Sequence, residues 1–524
     1  MNVAFDPWIP VVNIPGKREL ASLCDVLAEG DKFADLAVRP HERVSLMRLF
    51  LCIAHAALDG PKDYDEWLEM PKRLPEAVQK YLTVWKDSFE LFHETKPWLQ
   101  VAGLSKSADG KVSETATDEW TPVSKLNFSF ATGNNTTLFD HGGMSEYRSI
   151  SIEETLLSML TFQCFSPGGL ISQVYWNGIQ SGKSSKDAPC VPASMIHSFL
   201  RGEDLLGTIH LNLPTHEDIQ FSYGEREFGK PVWEMMPTSL TDSGKVENAT
   251  TTYVGRLVPM TRLIRLHSSG ERMLLGDGLA YPPFTDGFPP EPTSTVVIRQ
   301  NGEKEERAIL SYRPAKALWR ELSAVVVKRR ANGLGGPLSL RAIQDGEGCD
   351  LIIAALARAQ ATIVDTAESV FHIPSRLRSE EGTATYEAEV KTAEAMASRL
   401  GWAVEGYRRE IDGGWEGRLK SAGPAKGKLK AKLHSIATTH YWTTVEKNLP
   451  RLMAPIEAID TDAAIPTREA WRTMLFSAAC EAYRTACGQE TPRQMRAFAK
   501  GWQKLTTTRD EPGSDTNETK EEEV

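Results

Sequence analysis

The residues best suited to contacting a ligand are glycines and asparagines gathered in two polar loops, residues 131–140 (ATGNNTTLFD) and 166–170 (SPGGL). Glycine lets a backbone approach a ligand closely, and an asparagine amide both donates and accepts hydrogen bonds. A third candidate is the basic run at 420–432 (KSAGPAKGKLKAK), with five lysines and no acid, which suits a phosphate backbone. Each also has a plain reading: ordinary surface connections for the loops, a solvated helix N-terminus for the lysines.

Catalytic patterns are missing. Residues 177–184 (NGIQSGKS) end like a phosphate-binding loop, but the position that needs the first glycine holds Asn177, and Gly178 is one residue late. That spacing is what wraps backbone N–H groups around a phosphate. His93-Glu94 and His216-Glu217 lack the second histidine of a zinc-protease helix. The seven cysteines are scattered, with no pair at C-x-x-C spacing, which argues against a disulfide framework or a zinc ribbon. We expect no enzyme, no metal and no cofactor.

Charge narrows the partners. The 524 residues carry a net charge of −10, but residues 509–524 hold seven acids and two bases and no aromatic residue. That tail reads as disordered and acidic, leaving the rest near neutral, so a local basic groove remains open. No run approaches the roughly 18 apolar residues of a membrane span, and the N-terminus has no signal-peptide pattern. The expected setting is cytoplasmic, without membrane association.

The positioning elements divide in two. Early on, residues 3–12 read as a strand, a short helix carries Leu20, Leu23, Val26 and Leu27, and 40–58 reads as a helix apolar nearly all round, hence buried. Residues 76–91 give a third helix. Between about 120 and 350, short apolar runs (208–213, 295–299, 307–312) broken by Gly, Pro, Asn and Ser read as strands and loops. Residues 276–292 hold too many prolines and glycines for a regular element. From about 380 a helical period returns: Tyr386, Val390, Ala393, Ala397, Leu400, Val404 and Tyr407 share one side of 383–411, followed by helices at 426–453, 466–487 and 492–505. The expected class is α+β: a large mixed α/β domain (1–375), an antiparallel four-helix bundle (376–508) and the tail (509–524).

Seven short segments, in order, resemble the CasA family, the large subunit of the type I-E CRISPR Cascade complex. They are Phe5-Asp6-Pro7-Trp8-Ile9-Pro10-Val11, Pro97-Trp98-Leu99-Gln100, the asparagine loop ending in Leu138-Phe139, and the Pro-Gly-Gly loop. Arg201-Gly202-x-Asp204-Leu205, Gly287-Phe288-Pro289-x-x-Pro292 and Ala359-Gln360-Ala361 follow. Together they span about residues 1–365.

The resemblance implies a DNA-recognising subunit whose partners are target double-stranded DNA, the CRISPR guide RNA, other Cascade subunits and a helicase-nuclease. Such a subunit reads the protospacer-adjacent motif (PAM) from the minor groove, whose code is degenerate, and helps open the duplex for guide pairing. Base pairing then reads the sequence, a division of labour known from another RNA-guided system. Gln360, flanked by Ala359 and Ala361, matches a glutamine wedge at a hairpin tip; the residues themselves, in an alanine-rich run, equally suit a helix. Gly168 and Gly169 match the minor-groove glycine loop. Asn134, Asn135 and Phe139 match the loop that docks at the RNA-proximal end, where Phe139 would stack on a base or serve as a core aromatic. Relatives present a lysine to the PAM from the loop before the G-x-x-P segment; residues 276–284 contain none, which leaves Arg272, Lys183 or Lys186 as substitutes. Lys426, Lys428, Lys430 and Lys432 are candidates for holding displaced strand. The rival reading is a protein-only scaffold without direct DNA readout.

Overall fold

A computed structural model describes residues 1–112, 120–130, 149–192, 194–302, 304–359, 362–411 and 424–507, with backbone alone for 362 and 424–431. The chain separates into two units, Met1–Arg378 and Ser379–Val524.

The first unit is mixed α/β. A three-stranded antiparallel sheet opens it, with Ile9–Asn13 between Arg18–Ala21 and Phe33–Leu36. The expected early strand thus begins at Ile9, and Leu20 lies in a strand, the helix running Leu23–Ala28. Trp8 is fully buried because its indole finds a partner, Nε1 donating to the Val3 carbonyl at 2.8 Å.

The helix Pro40–Leu58 stands where expected, with every residue from His41 to His55 buried. Pro40 sits in the first turn, where its missing N–H costs nothing, and the Glu42 carboxylate accepts the Arg39 N–H at 2.8 Å. Its arginine Arg48 is absorbed as well. Arg48 pairs with Glu291 at 2.7 Å, Arg256 reaches the other carboxylate oxygen at 2.7 Å, and all three are buried. Glu291 lies in the irregular stretch 276–292, so this buried cluster pins that proline-rich segment to the core helix. The stretch is irregular as expected, apart from its first two residues and a single 3-10 turn, Phe284–Asp286.

The middle of this unit corrects two expectations. The third helix spans Tyr64–Val84 rather than 76–91, starting at the Asp63 cap and running through Pro71 and Pro75. Residues 208–213 are not a strand. Asp204 accepts the Gly207 N–H at 2.7 Å and starts the helix Leu205–Leu211. The region also holds the buried helix Ile152–Phe165.

A second sheet carries Cys349–Ala359 between Ile196–Arg201 and Thr362–Ile373, all antiparallel. Residues 354–359 are therefore strand and not helix. Burial decides it: Leu351 through Ala357 are all buried, and a continuous apolar run covered on both faces is a central strand whatever its alanine content.

In the second unit the long helix Glu380–Ile411 packs against Pro424–Lys447, Leu449–Glu457, Ala464–Ala486 and Pro492–Thr506. Its inward side is the expected one, with Tyr386, Val390, Ala393, Leu400, Val404 and Tyr407 buried and Ala397 half-buried. The expected helix 426–453 is two helices broken at Asn448, because Pro450 opens the second and supplies no N–H to continue the first. Five helical segments result among the described residues. The acidic tail lies outside them.

Candidate nucleic-acid interface

The glycine loop follows directly from the end of the Ile152–Phe165 helix. Pro167 disfavours helical geometry at Ser166, which turns extended, and the chain leaves as the short strand Gly169–Leu170, paired with Ser184–Ser185. Gly168 has no room for a side chain: a Cβ would meet the Ser185 carbonyl oxygen at 2.8 Å and the Asp187 carboxylate at 3.1 Å. Leu170, next along, is 93% exposed.

Arg262 braces this loop from below. Its guanidinium donates to the carbonyls of Thr261 at 2.7 Å, Pro167 at 2.8 Å and Lys186 at 3.2 Å. Burial lowers its pKa to about 10, which leaves it charged at neutral pH. Its backbone is fixed in turn by Gln163, whose side chain accepts the Arg262 N–H at 2.9 Å and donates to the Arg262 carbonyl at 2.8 Å.

Asp187 joins the loop to the second sheet. One oxygen, Oδ1, accepts the Gly168 N–H at 2.7 Å and the Arg358 guanidinium at 2.5 Å. Arg358 lies on the hairpin strand just past a register shift, where Ala357 opposes Asp365 but Arg358 opposes Ile363, leaving Val364 extra. Such a bulge re-aims side chains. The Arg358 N–H donates to Ser194 Oγ at 3.0 Å, and Tyr312 Oη donates to Asp365 at 3.1 Å, bracing both strands.

Beside the loop is a cleft of about 570 Å³ whose walls include Gly168, Lys186, Asp187, Tyr281 and Phe284. A second cleft of about 740 Å³ shares Phe284 and carries Arg299, Arg307 and Arg330. Of the three candidate bases, Lys186 is exposed on the first cleft and Lys183 is exposed near it in sequence. Arg272 instead donates to the Trp120 carbonyl at 3.2 Å.

Gly168 and Gly169 are thus brought together with Lys186 and, through Asp187, with the hairpin. Ala359 ends its strand, exposed, opposite Thr362; Gln360 and Ala361 lie outside the described residues, as do Asn134, Asn135 and Phe139. Lys426, Lys428, Lys430 and Lys432 fall in the first turns of the helix Pro424–Lys447, and Lys432 is exposed. At 100° per residue, 426 and 430 share one side and 428 and 432 another, so the run is two pairs rather than one row. Cations at a helix N-terminus oppose its dipole, so helix stability does not account for them.

Asp187, Arg262 and Arg358 were not singled out in the sequence. The available signal was a lone arginine inside an apolar strand. The near-Walker segment resolves as a hairpin turn, Asn177 and Gly178 both at positive φ between Tyr175–Trp176 and Ile179–Gln180. Several of the quoted motif residues are structural: Gln100 donates to the Leu91 carbonyl at 2.7 Å and accepts the Leu266 N–H at 2.8 Å. Among the described residues no group of three or more His, Cys, Asp or Glu is placed to hold a metal, and no helix is long and apolar enough to cross a membrane.

The family model of CRISPR-associated protein Cse1 matches residues 2–482. The CRISPR-associated protein CasA/Cse1 of Thermus thermophilus is 28% identical, covering 96% of each chain. The crystal structure of Thermus thermophilus CasA superposes with a TM-score of 0.74 at 24% identity, over 96% of this chain and 98% of that one. A chain of a CRISPR RNA-guided surveillance complex does so with a TM-score of 0.66 at 17% identity, over 97% and 99%.

Proposed function

Since the chain belongs to the CRISPR-associated Cse1 family, we propose that it is the large subunit of a CRISPR RNA-guided surveillance complex of the Cascade type and reads the PAM of duplex DNA from the minor groove. The observation that carries this reading is the convergence of the glycine loop and the hairpin strand on Asp187, beside a cleft walled by Lys186. The minor groove is narrow, and a backbone without a side chain at Gly168 suits close approach to it.

In this reading Gly168 and Gly169 lie against the groove, and Lys186 supplies the positive charge that the stretch 276–284 lacks. Ala359, Gln360 and Ala361 form the wedge that separates the first base pair, the amide of Gln360 bonding to the parted bases. Asn134, Asn135 and Phe139 dock at the guide RNA, and the lysines at 426–432 hold displaced strand. The subunit carries out no chemical step; cutting belongs to a helicase-nuclease that the complex recruits.

The groove assignment is tested with modified bases in the PAM. Replacing purines by 7-deaza analogues removes the N7 acceptor of the major groove only, while inosine for guanosine removes the minor-groove amino group only. A minor-groove reader tolerates the first and responds to the second at any position where it reads a G·C pair. Sensitivity to 7-deaza purines alone overturns the reading. Full binding of PAM duplex by the complex without this chain favours the protein-only scaffold.

A further inference from the structure

We infer that Asp187 is a positioning residue that couples PAM engagement to duplex opening, by holding the glycine loop and the wedge hairpin on one carboxylate oxygen. The inference rests on the reading above and goes further: the two DNA-contacting elements act as one device. Oδ1 accepts the Gly168 N–H at 2.7 Å and Arg358 Nη1 at 2.5 Å. Arg358 stands two residues before Gln360, at the bulge nearest the hairpin tip.

Neither side of the bridge is held by this oxygen alone, so its loss does not unfold either. The glycine loop keeps the Arg262 contacts to Pro167 and Lys186, and the Ala188 N–H still donates to the Ser166 carbonyl at 3.0 Å. The hairpin keeps its strand pairing and the Tyr312–Asp365 bond. What the bridge adds is a direct tie between the Gly168 amide and the Arg358 side chain, beside the backbone route in which Ser194 Oγ accepts the Arg358 N–H at 3.0 Å. The pair is partly shielded, with side chains 33% and 23% exposed, so water screens it less than a surface pair. A carboxylate accepting from a guanidinium and an amide at once makes two charge-assisted bonds. A shift of the Gly168 amide on meeting DNA therefore moves the acceptor that aims Arg358.

The test uses the reconstituted complex with Asp187→Ala, Asp187→Asn, Arg358→Gln and the double variant Asp187→Ala/Arg358→Gln. Opening is measured on a PAM duplex that is fully paired and on one already mismatched beside the PAM. PAM discrimination is taken from binding before opening, and thermal melts confirm folding. Arg358→Gln is expected to slow opening of the paired duplex at least about tenfold, the scale of one charged hydrogen bond, while keeping PAM discrimination. The pre-opened duplex restores its rate. Asp187→Ala loses discrimination as well, Asp187→Asn, which keeps an acceptor oxygen, loses less, and the double variant is no worse than Asp187→Ala. A purely structural role would slow both duplexes alike, and that result overturns the coupling. So does wild-type opening by Arg358→Gln, or single effects that multiply in the double variant. If the wild-type complex ignores the PAM, the functional reading itself fails, and the coupling with it.

Discussion

The Arg358 guanidinium lies 2.5 Å from Oδ1 of Asp187, across 171 residues of sequence. This contact ties the end of a long hairpin directly to a glycine loop. On either side of it, Arg262 holds the loop and strand pairing holds the hairpin.

The loop itself comes first. A methyl group on Gly168 would sit at 2.8 Å from a carbonyl oxygen, and that neighbour is backbone, which yields little. Gly168→Ala should therefore displace the Ser184–Ser185 strand and cut PAM-dependent opening at least about tenfold. The fold should survive, since no core residue is touched. Opening assays and a thermal melt on one preparation check this; a wild-type opening rate would contradict it.

Beneath the loop, the buried cluster of Arg48, Arg256 and Glu291 carries two positive charges and one negative. Removing the negative one leaves two guanidinium groups in the core uncompensated. Glu291→Ala is expected to cost about 3–5 kcal/mol, the range for breaking a buried pair from one side. Urea unfolding reads it directly, and a loss below about 1 kcal/mol would mean that the cluster is not the anchor of 276–292.

Acid should act on the same core through histidines. Burial pushes the imidazoles of His41, His55 and His197 down from 6.5 to about 4, 3 and 4. Between pH 6.5 and about 4 the unfolded chain takes up protons that the folded chain refuses, so stability falls as pH falls. The slope reaches at most about 4 kcal/mol per pH unit if all three contribute. Glu291 extends the loss. Burial alone would raise its pKa, but Arg48 and Arg256 hold it at about 2. Below 4.5 the unfolded carboxylate protonates first, and stability drops further until about pH 2. Urea midpoints at pH 7.5, 6 and 5 that do not move would contradict this.

In the helical unit, Gly501 lets its own helix touch two others. A Cβ there would meet Tyr483 Oη at 2.0 Å and the Ala403 carbonyl oxygen at 2.5 Å. Despite alanine's better helix propensity, Gly501→Ala should destabilise by about 1–3 kcal/mol. Hydrogen exchange should show the loss in the 380–411 and 492–506 helices. A stabilised variant would mean that the helices part at no cost.

For displaced strand, reversing charge in pairs is informative because helical geometry separates 426/430 from 428/432. If one side tracks the strand, glutamate at that pair weakens R-loop stability more than PAM binding, and the other pair matters less. Equal losses in both steps would contradict the strand-holding role.

How much of this was legible in the sequence depends on the range of the cause. The Pro40–Leu58 helix was readable because its burial is written in every residue, and the long 380–411 helix because its apolar period recurs without a break from Tyr386 to Tyr407. The start of the Tyr64–Val84 helix was hidden because Pro71 and Pro75 look like breakers, although a packed helix absorbs them. Residues 354–359 suited a hairpin by resemblance and a helix by alanine propensity, and burial on both faces decides for strand. Gly168 and Gly169 could be named from composition and resemblance. Asp187 and Arg358 could not, since each is an ordinary charged residue until the fold brings them together.

The central claim is that this chain reads the PAM and opens the duplex. The most direct measurement is R-loop formation by the reconstituted complex on PAM-bearing and PAM-mutated duplexes, with the chain, without it, and with Gln360→Ala. The account predicts opening only with the chain and the PAM, and a loss of opening with Gln360→Ala while PAM binding persists. Equal opening without the chain would contradict it.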